Sequence, residues 1–209
     1  MTFDSRAIAR AMPRPARLGV LISGGGRTLC TIHDAVRRGQ LHASIELVIA
    51  SRPCRGVQRA RERGLPAMIE PGRIPRKRLG ALLRDAGIDL VALGGYLQLV
   101  EIPEGYEQRV VNIHPALLPR FGGPGFYGDR VHRAVLESGS RISGCTVHLC
   151  DEQYDHGPIV LQRTCPVLPG DTVETLGARV FALEKQAYVS ALQLLVGSGV
   201  GHKRRGACA

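Results

Sequence analysis

The run Leu18–Ile22, LGVLI, closed at once by SGGGRT, constrains the fold more than any other segment. A continuous apolar run this short is expected of a strand buried on both faces, which implies a parallel sheet covered by helices. After the glycines, Leu29, Ile32 and Val36 recur on one face of a predicted helix over 28–38, and Gly39 is placed to stop it. The opening unit is therefore strand, glycine loop, helix, and the pattern repeats. Predicted strands over 45–50, 67–70, 90–93, 109–113, 142–149 and 159–167 are interleaved with predicted helices over 57–63, 76–86 and 129–138. A last helix is predicted from a capping box of Asp171 and Glu174 to the neighbourhood of Leu195, with Leu176, Val180, Leu183 and Ala187 as its apolar stripe. The expected fold class is α/β: a single-domain, Rossmann-like, open and mainly parallel sheet with helices on both faces. The expected boundaries are a flexible N-terminal arm at 1–16, the folded domain at 17–198 and a basic flexible tail at 199–209.

The formal charge of +10 raises the question of a nucleic-acid partner. Each end of the chain accounts for three of those charges and the body for the remaining four, which is not a DNA-binding footprint. Within the body, residues 52–84 hold ten basic side chains against Glu62 and Glu70, with few aromatics to stack bases. An anionic small molecule or plain solvation explains that segment better than a nucleic-acid strand. The six cysteines show no CxxC spacing, so neither a zinc site nor a disulfide framework is expected. No eighteen-residue apolar run and no N-terminal apolar signal core are present, so a cytoplasmic protein without membrane contact is expected.

Gly24, Gly25 and Gly26 let backbone approach a ligand closely, and the N–H groups of the helix that follows are suited to an anion. A Walker loop is rejected because no Gly-Lys-Ser/Thr occurs. A dinucleotide fingerprint fits poorly, since Leu29 stands where its third glycine belongs and the second strand runs into Ser51 and Arg52, although Arg52 would tolerate a 2′-phosphate. Farther on, Asn112 and His114 lie two apart in an extended run and so face the same way. Pro115 holds His114 out of helix, and a loop rich in glycine and proline follows to Gly128. A polar pair at a strand end under an irregular loop is how active sites in open α/β sheets are built.

The segment NIHPALLP, starting at Asn112, resembles the signature of the 10-formyltetrahydrofolate-dependent formyltransferases, and DEQYDHGPI, starting at Asp151, resembles their Asp-Glu-x-x-Asp-x-Gly loop. The resemblance covers about residues 17–195. It implies an enzyme of purine biosynthesis that moves a formyl group from 10-formyltetrahydrofolate to the amine of 5′-phosphoribosylglycinamide, without metal or nucleic acid. It implies catalytic roles for Asn112, His114 and Asp155. It implies that the substrate phosphate meets Gly24, Gly25, Gly26, Arg27 and Thr28, with Arg76 or Arg78 close by and Glu184 near the ribonucleotide. Folate contacts are implied for Tyr96, Leu97, Gln98, Leu99 and Val100 in the segment GGYLQLV, and for Leu149, Cys150 and Asp151. This chain departs from the pattern in three places: Arg27-Thr28 where Ser-Asn is frequent, a longer glycine-rich loop FGGPGFYGDRVH, and His156, which is assigned no role.

The residue types suggest a chemistry. Transfer from an N-formyl donor to an amine passes through a tetrahedral oxyanion and requires an amine proton to leave. Asn112 N–H and a protonated His114 are expected to stabilise the oxyanion, and Asp155 to keep His114 charged and take or relay the proton. Competing readings are a methionyl-tRNA formyltransferase, which normally carries a C-terminal domain for which little chain remains, and a formyltetrahydrofolate deformylase, which normally carries an N-terminal regulatory domain. A non-catalytic phosphate- or nucleotide-binding module, docking through residues 52–84, is the reading from another class. Oligomeric state is left open.

Overall fold

The continuous apolar runs become the interior of a seven-stranded sheet in a computed structural model that describes residues 14–198. Residues 1–13, most of the expected arm, and 199–209, the expected tail, lie outside the described residues. In chain order the elements are β1 (Ala16–Ile22), α1 (Arg27–Arg37), β2 (Ala43–Ala50), α2 (Arg55–Glu62), β3 (Ala67–Ile69), α3 (Arg76–Asp85) and β4 (Leu90–Leu93). They continue with β5 (Val110–His114), α4 (Asp129–Glu137), β6 (Ile142–Leu149), β7 (Ile159–Pro166) and α5 (Val173–Gly197). The strand order is β3-β2-β1-β4-β5-β6-β7. Strands β3 to β5 in that order pair in parallel, and β6 and β7 add on antiparallel.

From β1 the chain winds outward to β2 and β3, and then returns to lay β4 on the other side of β1. The crevice at the carboxyl ends of β1 and β4 is therefore the topological switch point, where ligands bind in open α/β sheets. The sheet is buried on both faces. Leu18, Val20 and Ile22 pack with α1, α2, α4 and α5, whereas Leu21, Ile49 and Val91 pack under α3 and the 94–109 connection. Alternate residues of one strand thus belong to opposite layers, as strand geometry requires. Among the described residues, four helices cover one face and a single helix the other.

Tyr188 of α5 fastens that helix to the sheet beneath the site. Its buried hydroxyl lies 2.9 Å from the carbonyl oxygens of both Leu93 and Val111. The α5 stripe is as expected at Leu176, Val180 and Ala187, which are fully buried. The cap is not. Thr172, with Thr175, forms the reciprocal capping box, while Asp171 is drawn off by Arg179, at 2.6 Å and 2.9 Å. The fold also starts earlier than the 16/17 boundary: Ala16 is already in β1, and Arg14 makes a two-point contact with Asp89 at 2.7 Å and 2.9 Å. A lone arginine in a polar segment gives no periodic signal of such a contact.

Candidate active site

The glycine loop is held open by α2. Gly56 N–H donates to the Gly24 carbonyl at 3.0 Å, Arg59 Nη1 to that of Gly25 at 2.7 Å, and Arg52 Nε to that of Ser23 at 2.8 Å. The loop's carbonyls are thereby occupied on the α2 side. Gly26, the N-cap of α1, has φ 72° and offers no side-chain cap, and the first turn of α1 contains no acidic residue. The free N–H groups and positive dipole end of α1 therefore form an anion slot. Arg27 stands beside it, with its guanidinium 4.2 Å from the ring centroid of Phe181 on α5.

A second cluster forms where β5 meets β6. Asn112 and His114 project from β5 toward Asp155, which the β6–β7 connection folds back over them. Asn112 Nδ2 is 3.4 Å from Asp155 Oδ1, and His114 Nδ1 is 3.4 Å from Asp155 Oδ2. Opposite Asn112 in the sheet is His148, whose Nε2 lies 3.1 Å from Asn112 Nδ2 and 3.6 Å from Asp155 Oδ1. His148 carries no motif of its own. Its signal was the inward face of β6 opposite Asn112, which needs the strand register to be read. The glycine-rich loop closes the cluster: His114 Nε2–H donates to the Phe121 carbonyl at 2.7 Å, and Gly123 N–H to Asp155 Oδ2 at 3.0 Å. Phe121 and Asp155 both have positive φ, 57° and 54°, a cost that non-glycine residues bear mainly at functional sites.

Burial lowers the pKa of His114, more than Asp155 and the Phe121 carbonyl raise it. Burial thus favours the neutral ring, and the Phe121 carbonyl places its proton on Nε2, which weighs against the expectation that Asp155 keeps it charged. Burial pushes Asp155 up, but its polar surroundings, the Gly123 N–H among them, outweigh it and the carboxyl titrates below its ordinary range. Asp155 is thus a carboxylate beside an unprotonated Nδ1, and the pair has room for one proton.

Both clusters line one cleft of about 670 Å³, the size of small-molecule sites. A sequence profile of the family described as Formyl transferase matches residues 16–192. The chain belongs to the formyl transferase family. It is 42% identical over 201 residues to the chloroplastic phosphoribosylglycinamide formyltransferase of Vigna unguiculata, covering 92% of this chain and 64% of that protein. The protein of the same name from Arabidopsis thaliana is 42% identical over 188 residues, covering 85% of this chain and 64% of its own. The chain thus spans less than two thirds of the length of these two plant relatives. A solved structure, glycinamide ribonucleotide transformylase 1 from Symbiobacterium toebii, superposes with a TM-score of 0.80 at 39% identity, covering 88% of this chain and 89% of that one.

In this formyl transferase, most of the residues singled out from sequence meet in the cleft. Gly24 to Thr28, Glu184, Tyr96 to Val100, Cys150 and Asp151 line it together with Asn112, His114 and Asp155. Glu184, half-buried on α5, is pushed up to about 7 by burial against the opposing pull of Arg27. Three residues are elsewhere. Arg76 starts α3 outside the cleft lining, where its backbone N–H meets Glu101 at 3.0 Å and its guanidinium pairs with Glu152. Arg78 is likewise engaged, by Glu70. Leu149 is buried in the β6 core. His156, without an assignment from sequence, holds Asp151 at 2.6 Å. Ser23 was also missed: its hydroxyl accepts from Leu97 N–H at 2.9 Å and shares a hydrogen bond with Ser51 at 2.7 Å, tying the glycine loop to the 96–100 segment. Among the described residues, no group of three or more His, Cys, Asp or Glu is placed to hold a metal ion, and no helix is long and apolar enough to cross a membrane.

Proposed function

We propose that the protein transfers the formyl group of 10-formyltetrahydrofolate to the amine of 5′-phosphoribosylglycinamide, in de novo purine biosynthesis and in the cytoplasm. The observation that carries this reading is the one cleft lined by both an anion slot and the Asn112–His114–Asp155 cluster, in a family whose relatives bear that activity in their names. The ribonucleotide phosphate is read onto the α1 N-terminus and Arg27, which sets its amine toward Asp155. The folate is read onto the 96–100 segment and the Cys150–Asp151 edge.

The chemistry then follows from the resting hydrogen bonds. The neutral amine nitrogen attacks the formyl carbon, the carbonyl π pair moves to oxygen, and an oxyanion and an ammonium form together. The ammonium proton passes to the Asp155–His114 pair, which has room for one. That proton makes His114 an imidazolium as the oxyanion needs it, so proton removal and charge stabilisation are one event. The Asn112 N–H that is only 3.4 Å from Asp155 is the weakly held donor available to the oxyanion. Collapse re-forms the carbonyl, breaks the bond from carbon to N10 of the folate, and returns the proton to that nitrogen. A formyl-transfer assay offering phosphoribosylglycinamide, water and methionyl-tRNA as rival acceptors tests the reading. Preference for water or tRNA would replace the acceptor, and ligand binding without turnover would replace the enzyme with a binding module.

A further inference from the structure

One polar side chain in the cleft has no hydrogen-bond partner on either ring nitrogen among the described residues. His132, on the first turns of α4, is buried, its Nδ1 is sealed from solvent without a hydrogen bond, and the residue lines the cleft. Its place is specific. A Cβ on Gly177 of α5 would lie 3.0 Å from the ring's Cδ2 and 3.3 Å from Nε2, so the ring's outer edge rests on bare helix backbone. Glycine inside a helix costs about 1 kcal/mol relative to alanine, so Gly177 is explained by the space this ring needs. One turn farther along α5, Phe181 carries the Arg27 guanidinium. His132 thus shares the lining of the cleft with both the Asn112–His114–Asp155 cluster and the anion slot.

A sealed, unpaired N–H is rarer in proteins than an under-satisfied acceptor, which assigns the ring proton to Nε2 and leaves the lone pair on Nδ1. Burial lowers the ring's pKa, against the pull of Asp129, so the ring stays uncharged. We propose that His132 Nε2–H is an uncharged hydrogen-bond donor to an oxygen of the ribonucleotide between its phosphate and its amine, a sugar oxygen or the glycinamide carbonyl. This rests on the substrate proposed above. A neutral donor suits that stretch, because a second cation there would compete with the slot for the phosphate. His132 thereby sets the distance between the two ends of the substrate.

The test measures the Kd for 5′-phosphoribosylglycinamide by calorimetry without folate, and KM for both substrates, in the wild type and three variants. His132→Leu should raise the ribonucleotide Kd and KM roughly five- to tenfold, the range for loss of one neutral hydrogen bond, with the folate KM unchanged. His132→Gln, whose amide nitrogen reaches about where Nε2 lies, should recover most of the loss. Gly177→Ala should produce the same selective loss with the imidazole still present. An unchanged ribonucleotide Kd in His132→Leu, a fall in kcat at constant KM, or equal losses for both substrates in variants with wild-type melting would overturn the proposal. A wild type that never formylates the ribonucleotide would instead remove the proposed function. An active wild type with an unaffected His132→Leu sinks this inference alone.

Discussion

Nε2 of His148 lies 3.1 Å from Nδ2 of Asn112, while its Nδ1 lies 3.0 Å from the carbonyl of Leu149. A carbonyl only accepts, so Nδ1 carries a hydrogen, and Nε2 presents its lone pair to the Asn112 amide. His148 thereby decides which end of that amide faces it, although no motif marks it. Nitrogen NMR of the imidazole should find Nδ1 protonated and Nε2 bare at neutral pH. The His148→Phe variant should lose on the order of 1–3 kcal/mol of stability, the cost of unpaired buried polar groups, and more in kcat than in either KM. A ring protonated on Nε2 alone would show that Asn112 is turned the other way.

Gly26 and Gly56 form a second pair whose consequence differs from the simplest expectation. A valine at Gly26 reads from sequence as a selective block to the phosphate. Its Cβ, however, would lie 2.7 Å from the Gly56 Cα, at a φ of 72°. Gly26→Val and Gly56→Ala are both expected to lower the melting temperature and to damage both substrates' kinetics, since backbone cannot move aside cheaply. The selective probe is Arg27→Ala, which leaves that contact intact. It should raise the ribonucleotide KM about tenfold or more, as for a charge-assisted bond, and leave the folate KM alone. Equal effects of Arg27→Ala on both substrates would move the phosphate elsewhere.

The contrast shows where sequence reading ends. Short apolar runs and glycine stops located every strand and helix to within a few residues, because burial on both faces of a parallel sheet leaves a continuous signal. The convergence of Asn112 and His114 was legible too, since strand alternation is local. Arg76 was misplaced because its partners, Glu101 and Glu152, are 25 and 76 residues away, and long charged side chains choose partners by tertiary proximity. His148 and His132 were missed for the same reason. Their environment is set by Asn112 across a sheet register and by Gly177 on another helix, and neither relation has a local pattern. The cap of α5 was displaced by one residue because Asp171, a good capping residue, is held by Arg179.

Acid should weaken the fold through two of these buried rings. His114 and His132 both have folded pKa values lowered by burial, so the unfolded chain takes up protons first as pH falls past the ordinary histidine value of about 6.5. Stability is therefore full above that pH and declines below it. Asp155, also lowered, contributes stability that is present above the ordinary carboxylate value of about 3.9 and is lost as pH falls through its folded pKa. Urea titrations from pH 8 to 5 should show the first decline, and it should be shallower in His132→Leu. A wild-type stability independent of pH across that span would contradict the burial argument.

Activity should share the acid limb for a different reason. Asp155 and the bare Nδ1 of His114, 3.4 Å apart, jointly accept the amine proton in the proposed mechanism, so a proton already resident blocks them. The kcat should fall on the acid side of the ordinary histidine value of about 6.5, since burial holds the His114 pKa below it. Asp155→Asn should bind both substrates yet lose roughly a hundredfold or more in kcat, the scale of a lost general base. Asn112→Ala should lose on the order of 10²-fold for an oxyanion donor. Because Asn112 touches Asp155 at 3.4 Å, the double variant should cost less than the product of the single losses. The Phe121 carbonyl fixes the His114 proton on Nε2 and so leaves Nδ1 bare to accept, so Gly122→Ala, which crowds Leu118 and Asp155, should lower kcat by displacing that loop. A folded Asp155→Asn enzyme with near-normal kcat would end this mechanism, and strict additivity with Asn112→Ala would show that the two groups serve different steps.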